Sequence, residues 1–244
     1  MPFCERLIMS GGQIMTFLLL LAVLPGIMLV KHVYELDKIE QEPMPIIRSL
    51  LIAGALTCIP AGLAEWALAV PLGMIAEPGS MLGDLLSNFL GIALVEELAK
   101  YFVLKKKTWN HPDFNYRFDG IVYAVAASMG FAILENIMYV MMDGGMMVAV
   151  MRALLSIPGH GVFGIFMGYY YGAAKQCQNA GDTAQAAALR QRAVWHPMLL
   201  HGFYDFALTR QEGIWLLVFF VFVAILYYTT FRNLKAYAAN DEPV

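Results

Sequence analysis

Apolar residues gather along this chain into seven long stretches, at about 13 to 30, 46 to 70, 82 to 104, 119 to 142, 147 to 173, 193 to 209 and 214 to 231. About 20 helical residues rising ~1.5 Å each cross the ~30 Å hydrocarbon core of a bilayer, so each stretch predicts a membrane span. The sixth is short and more polar; it is kept because Trp195-His196-Pro197 reads as an interfacial anchor followed by a helix start. Phe17 to Val30 has no strongly basic leader, and Leu24-Pro25-Gly26 offers no small-residue cleavage site, so this stretch reads as a retained helix rather than a signal peptide. The expected fold is all-α: a polytopic transmembrane helical bundle of about seven spans, forming a single membrane-embedded domain over residues 1–244.

The basic residues between the stretches predict its orientation. Lys31, Lys38 and Arg48 fall in the first connection, Lys105, Lys106, Lys107 and Arg117 in the third, Lys175, Arg190 and Arg192 in the fifth, and Arg232 and Lys235 in the tail. The opposite set holds little beyond Arg6 and Arg210. By the positive-inside rule the N-terminus is out and the C-terminus in, as an odd number of spans requires. The longest connections on the basic side are Lys31 to Pro45, which is acidic, and Ala174 to Arg192, rich in Ala and Gln and read as a loop bearing a short surface helix.

Composition agrees with this reading. The chain is 59% hydrophobic and 14% charged, whereas a soluble domain carries about a quarter charged residues. The net charge of -3 is small and the basic residues form no patch, which argues against a nucleic-acid partner. Cys4, Cys58 and Cys177 are odd in number and far apart, and predict neither a disulfide framework nor a zinc site of their own.

The informative positions are the polar ones that break the apolar pattern, because each charge inside a bilayer costs about 2.5 to 3.5 kcal/mol even on lenient insertion scales. Glu96, Glu97 and Lys100 lie in the third stretch, Glu135 and Asn136 in the fourth, His160 in the fifth, and His201 and Asp205 in the sixth. Four helices thus place an ionisable group within roughly two helical turns of one plane. Glu96 with Lys100, Phe131 with Glu135, and His201 with Asp205 are spaced i, i+4 and share a helix face. The last pairing lets a carboxylate fix the orientation of an imidazole. Such a cluster is suited to activating water: either carboxylates and imidazoles hold a divalent metal such as zinc, with Glu97, His160 and His201 as ligands, or a buried glutamate acts directly as general base. The residues do not choose between the two.

Other polar residues receive plainer readings. His32, His111 and His196 fall in loops or at interfaces; Asp84, Asp119 and Arg152 lie near helix ends, from which they can reach headgroups. Glu65 is deeper and is a candidate for lining a cavity, and the spacing of Gly164 and Gly168 predicts close helix packing.

With these residues in view, the chain resembles the PrsW-type intramembrane protease family, which is grouped with CAAX-prenyl endopeptidases and the Aph-1 subunit of gamma-secretase. Glu96-Glu97-Leu-Ala-Lys100 is similar to its E-E-x-x-K signature, and Phe131-Ala-Ile-Leu-Glu135-Asn136 to F-x-x-x-E-N. His160 with the Gly-rich segment after it, and His201-Gly-Phe-Tyr-Asp205, resemble the third and fourth motifs. Leu36-Asp37-Lys38-Ile-Glu40-Gln-Glu42-Pro43 is similar to the family's acidic connection, and Asp119-Gly120-Ile-Val-Tyr123 to its D-G-x-x-Y segment. The resemblance implies a multi-pass protein of the cytoplasmic (inner) membrane that cleaves a membrane-anchored protein substrate, in the best-known case an anti-sigma factor at the first step of regulated intramembrane proteolysis. It implies Glu96, Glu97, Glu135, His160 and His201 as catalytic residues, with Lys100 balancing charge, Asp205 orienting His201 and Asn136 binding the substrate backbone. Members have been classed as metallo- and as glutamic peptidases. A non-catalytic scaffold of the Aph-1 kind and a proton-coupled transporter are the alternatives; no internal repeat supports the latter.

Overall fold

The computed structural model describes residues 11–143, 145–210 and 212–244; Cys4 and Arg6 lie outside them. The described residues are helical throughout, apart from short connections and an isolated bridge between Tyr116 and Pro243. They form seven continuous rods: α1 (Gly11–Leu36), α2 (Met44–Ile75), α3 (81–108), α4 (Asp119–Asp143), α5 (Met146–Asn179), α6 (Thr183–Arg210) and α7 (Gly213–Ala239). Five of these, α1, α2, α4, α5 and α7, are long and apolar enough to cross a membrane. The other two carry more charge along their length: Glu96, Glu97 and Lys100 in α3, and Arg190, Arg192, Asp205 and Arg210 in α6.

The helices outrun their apolar stretches. The connection expected over 174 to 192 is helix at both ends, α5 continuing to Asn179 and α6 starting at Thr183, with Asp182 accepting the Gln185 N–H as a cap at 2.9 Å. Ala, Gln, Lys and Arg are strong helix formers, so the helix persists where the apolar pattern stops. For the same reason Pro197 lies inside α6 rather than at its start, and His196 packs its ring 4.5 Å from that of Tyr170 instead of standing in a loop.

Helix α4 is the centre of the bundle and packs against α1, α2, α3 and α5. In its most apolar stretch 72% of residues are buried, against 22% in α1 and α7. Small residues make this possible. A Cβ at Gly54 of α2 would run into the carbonyl oxygen of Ala127, and one at Gly130 of α4 into that of Leu51, so the two backbones touch through reciprocal glycines. The Gly164 and Gly168 pair does the same on the α5 side, against Ser128 and Ile121.

Two rods contain a π-helical turn, Ser87–Ala93 in α3 and Arg152–Ser156 in α5. Such turns rewind a helix locally and re-aim the residues beyond them. The first brings Phe89 against Gly202 of α6, where no side chain beyond hydrogen would fit. Just before it, Asp84 is 8% exposed and pairs with Arg210 at 3.0 Å, tying the ends of α3 and α6. The headgroup role expected of Asp84 gives way to this contact, because a buried carboxylate needs a partner.

Candidate active site

Four helices bring the predicted residues to one place. Glu96 and Glu97 enter from α3, Glu135 from α4, His160 from α5, and His201 with Asp205 from α6. Glu96, Glu97, His160 and His201 are all buried, and each offers a donor atom within 4.8 Å of the other three. Lys100 is fully buried at the centre: its Nζ donates to Glu96 Oε2 at 3.0 Å and Glu97 Oε1 at 2.8 Å, and lies 2.9 Å from His160 Nδ1. An ammonium has no lone pair, so Nδ1 of His160 accepts and the ring proton sits on Nε2, which donates to Glu135 Oε2 at 3.0 Å. His201 is held differently, between two carboxylates, with Nδ1 3.0 Å from Glu97 Oε1 and Nε2 3.1 Å from Asp205 Oδ2, so both of its nitrogens face acceptors. Each imidazole therefore turns Nδ1 inward and rests its outer nitrogen on a carboxylate.

Two neighbours were not foreseen in their roles. Arg152, read from the sequence as reaching for headgroups, turns inward from the π-helical turn of α5. Its Nη2 is 2.8 Å from Glu135 Oε2 and its Nε donates to Asn136 Oδ1 at 2.8 Å. Ser156 joins the same pair, donating to Asn136 Oδ1 at 3.3 Å. Asn136 is fully buried and holds Arg152, which is a different contact from the substrate one expected of it. The signal was present: Arg152, Ser156 and His160 recur every fourth residue and so share a helix face.

A cavity of about 880 Å³ opens beside the cluster. Glu96, Glu135, Arg152, His160, His201 and Asp205 line it, and so does Glu65 from α2. Its wall away from the charges is apolar, with Met138, Met142, Met151 and Leu155. Glu97 and Lys100 are fully buried and stand behind the lining. The two adjacent glutamates thus differ: Glu96 faces the space and Glu97 supports the residues around it.

The donor set fits a divalent metal of the zinc type. It offers two imidazole nitrogens and two carboxylates, the carboxylates of Glu135 and Asp205 stand behind the rings as such ions require, and Glu97 Oε2 is a buried oxygen with no hydrogen-bond partner. The Lys100 ammonium shares three of the four donors.

The family described as PrsW family intramembrane metalloprotease matches residues 42–229. Protease PrsW of Geobacillus kaustophilus is 33% identical over 217 residues, 87% of this chain and 88% of the relative. Protease PrsW of Bacillus subtilis is 31% identical over 213 residues, 87% of this chain and 92% of the relative. That of Clostridioides difficile is 32% identical over 160 residues, 64% and 66% of the two chains. No solved structure gives a significant match. The matched region runs from the loop before α2 well into α7 and takes in every residue of the cluster, and on these similarities the chain is a peptidase and belongs to the PrsW family of intramembrane metalloproteases.

Proposed function

We propose that the chain is an endopeptidase that hydrolyses a peptide bond of a membrane-anchored protein within the bilayer, with Glu96 taking a proton from the attacking water. The observation that carries this reading is the division between the glutamates: Glu96 presents its carboxylate to the cavity beside both imidazoles, while Glu97 is enclosed with Lys100. Glu97 and Asp205 orient His201, and Glu135 orients His160. Arg152 and the two imidazoles line the cavity and are the donors assigned to the charge that develops on the carbonyl oxygen of a tetrahedral intermediate. A divalent ion, zinc by its donor chemistry, would be held by Glu97, His160 and His201, which leaves Glu96 beside it as the base; when bound it supplies an acidified water and polarises the carbonyl. A second, glutamic reading is favoured by Lys100, whose ammonium already lies within hydrogen-bond distance of Glu96, Glu97 and His160.

In this reading all seven rods cross the inner membrane, N-terminus out and C-terminus in. The cavity residues Met142, Met151 and Thr209 lie toward the ends of the rods that would then face outward. That opening fits a first cleavage made from the extracytoplasmic side, and an anti-sigma factor anchored by one span is the proposed substrate. Neither the scaffold nor the transporter alternative gains support from the relatives.

The test pairs elemental analysis with cleavage. Wild type, Glu96→Gln and His201→Ala are purified in mild detergent without chelators and offered a single-span reporter. Near-stoichiometric zinc that His201→Ala abolishes, together with loss of cleavage in both variants, supports the metal reading. Cleavage by a zinc-free preparation supports the glutamic one. Full cleavage by Glu96→Gln overturns the proposal.

A further inference from the structure

The acidic connection and the Asp119-Gly120-Ile-Val-Tyr123 segment, both singled out in the sequence, take no part in the cavity. They meet each other at the opposite end of the bundle. Asp37 follows α1, Glu42 precedes α2 and Asp119 opens α4; they are 3%, 2% and 1% exposed. Each brings a carboxylate oxygen within 4.8 Å of the other two. Asp119, read from the sequence as free to reach headgroups, is instead enclosed here. Among the described residues none of the three forms an ion pair with Lys, Arg or His.

Hydrogen bonds account for only part of the cluster. Asp119 Oδ2 accepts the backbone N–H groups of Asn115 at 2.9 Å and Tyr116 at 2.7 Å, and Glu42 accepts from the Tyr123 hydroxyl. Asp37 Oδ2 and Asp119 Oδ1 remain buried with no geometric hydrogen bond, although the Glu42 and Asp119 carboxyls stand close enough to share a proton. A third such oxygen, Asp241 Oδ2, belongs to the tail that crosses this end. Asp241 is positioned by its other oxygen, which accepts the Phe118 N–H at 2.8 Å, and its charge is felt at Asp37. Buried charges are expected to be paired or to hold a metal, and among the described residues no basic side chain pairs with Asp37, Glu42 or Asp119, although the Arg117 charge is felt at Asp241 on the rim.

We propose that Asp37, Glu42 and Asp119, with Asp241 at the rim, form a second and structural cation site, distinct from the active site, that takes a hard divalent ion, magnesium or calcium. Oxygen donors without imidazole or thiolate select those ions over zinc. The alternative means of neutralisation is protons. Burial pushes the Glu42 carboxyl up to about 9, with the neighbouring Asp119 adding to it, and pushes Asp37 up to about 6. An ion would tie together three parts of the chain that already meet here: the loop between α1 and α2, the start of α4, and the tail, which pairs with residues 115–117 through the Arg117 N–H to Glu242 carbonyl bond at 2.9 Å and the Val244 N–H to Asn115 carbonyl bond at 2.9 Å.

The full-length protein, stripped with chelator and exchanged into chelator-free detergent buffer, is titrated with magnesium chloride or calcium chloride by calorimetry, with melting temperature followed in parallel. The site predicts one saturable binding event that raises the melting temperature, is retained in Glu97→Gln, and is weakened about tenfold or more in Asp37→Asn and in Glu42→Gln, each of which removes one charged ligand. Asp241→Asn, on the less buried tail, guards against misfolding of the core variants and should weaken binding to a smaller extent. The proposal is overturned if neither ion binds saturably, if binding survives all three substitutions, or if it disappears in Glu97→Gln, which would assign the ion to the active site.

Discussion

The two ends of this bundle bury acidic residues in opposite ways. Near the cavity, Glu96, Glu97, Glu135 and Asp205 share space with Lys100, Arg152 and two imidazoles, and the contacts between them are dense. At the other end, Asp37, Glu42 and Asp119 have backbone amides and a tyrosine but, among the described residues, no basic side chain. A compensated cluster is rigid because removing one member leaves a charge stranded. An uncompensated cluster is poised to accept a cation from outside. The chemistry expected of each is correspondingly different: one is a preorganised site in a protein interior, the other a clasp that depends on what the solution offers.

The contrast can be broken most sharply at Glu96. Replacing it with Gln keeps shape and most contacts but removes the proposed base, and cleavage of a membrane reporter should fall by about 10²- to 10⁴-fold while the melting temperature changes little. Lys100→Met tests compensation itself. It leaves Glu96 and Glu97 buried without their cation, and chemical unfolding should report a loss of about 3 to 5 kcal/mol. Arg152→Gln is expected to be milder. It removes a charged hydrogen bond to Glu135, typically about 1.5 to 3 kcal/mol, so cleavage should drop by roughly ten- to a hundredfold, with the effect in turnover if Arg152 supports the transition state. The smallest change belongs to the other end and has the opposite sign. In ion-free protein Asp37→Asn relieves repulsion and should raise the melting temperature by about 2 to 4 °C, near 1 kcal/mol for a chain of this size. A fall there, like that at Lys100, would mean the two clusters are not different in kind.

Much of this was legible in the chain before its structure. The seven apolar stretches each fall within one rod, and the residues spaced i, i+4 do share their faces. Hydropathy measures the surroundings of a helix and not its length, so the ends of α5 and α6 beyond their apolar stretches read as a loop bearing a short helix. Arg152 was misplaced for a related reason. Near a helix end a basic residue has two destinations; the four-residue spacing of Arg152, Ser156 and His160 favours the inward one, while the π-helical turn that delivers it carries no mark in the sequence. The acidic connection and the start of α4 are far apart in the sequence, with two whole rods between them, and only tertiary packing could show that Asp119 completes what Asp37 and Glu42 begin.

The π-helical turn in α3 divides that rod into two threads cut on the same screw. Each residue of an α-helix advances the face by about 100°, so the wide turn over Ser87–Ala93 sets the angle of Glu96 and Glu97 independently of the segment capped by Ser80 and anchored through Asp84. One residue removed from that turn would swing both glutamates by about 100° away from His160 and His201, with the Asp84 anchor left where it is.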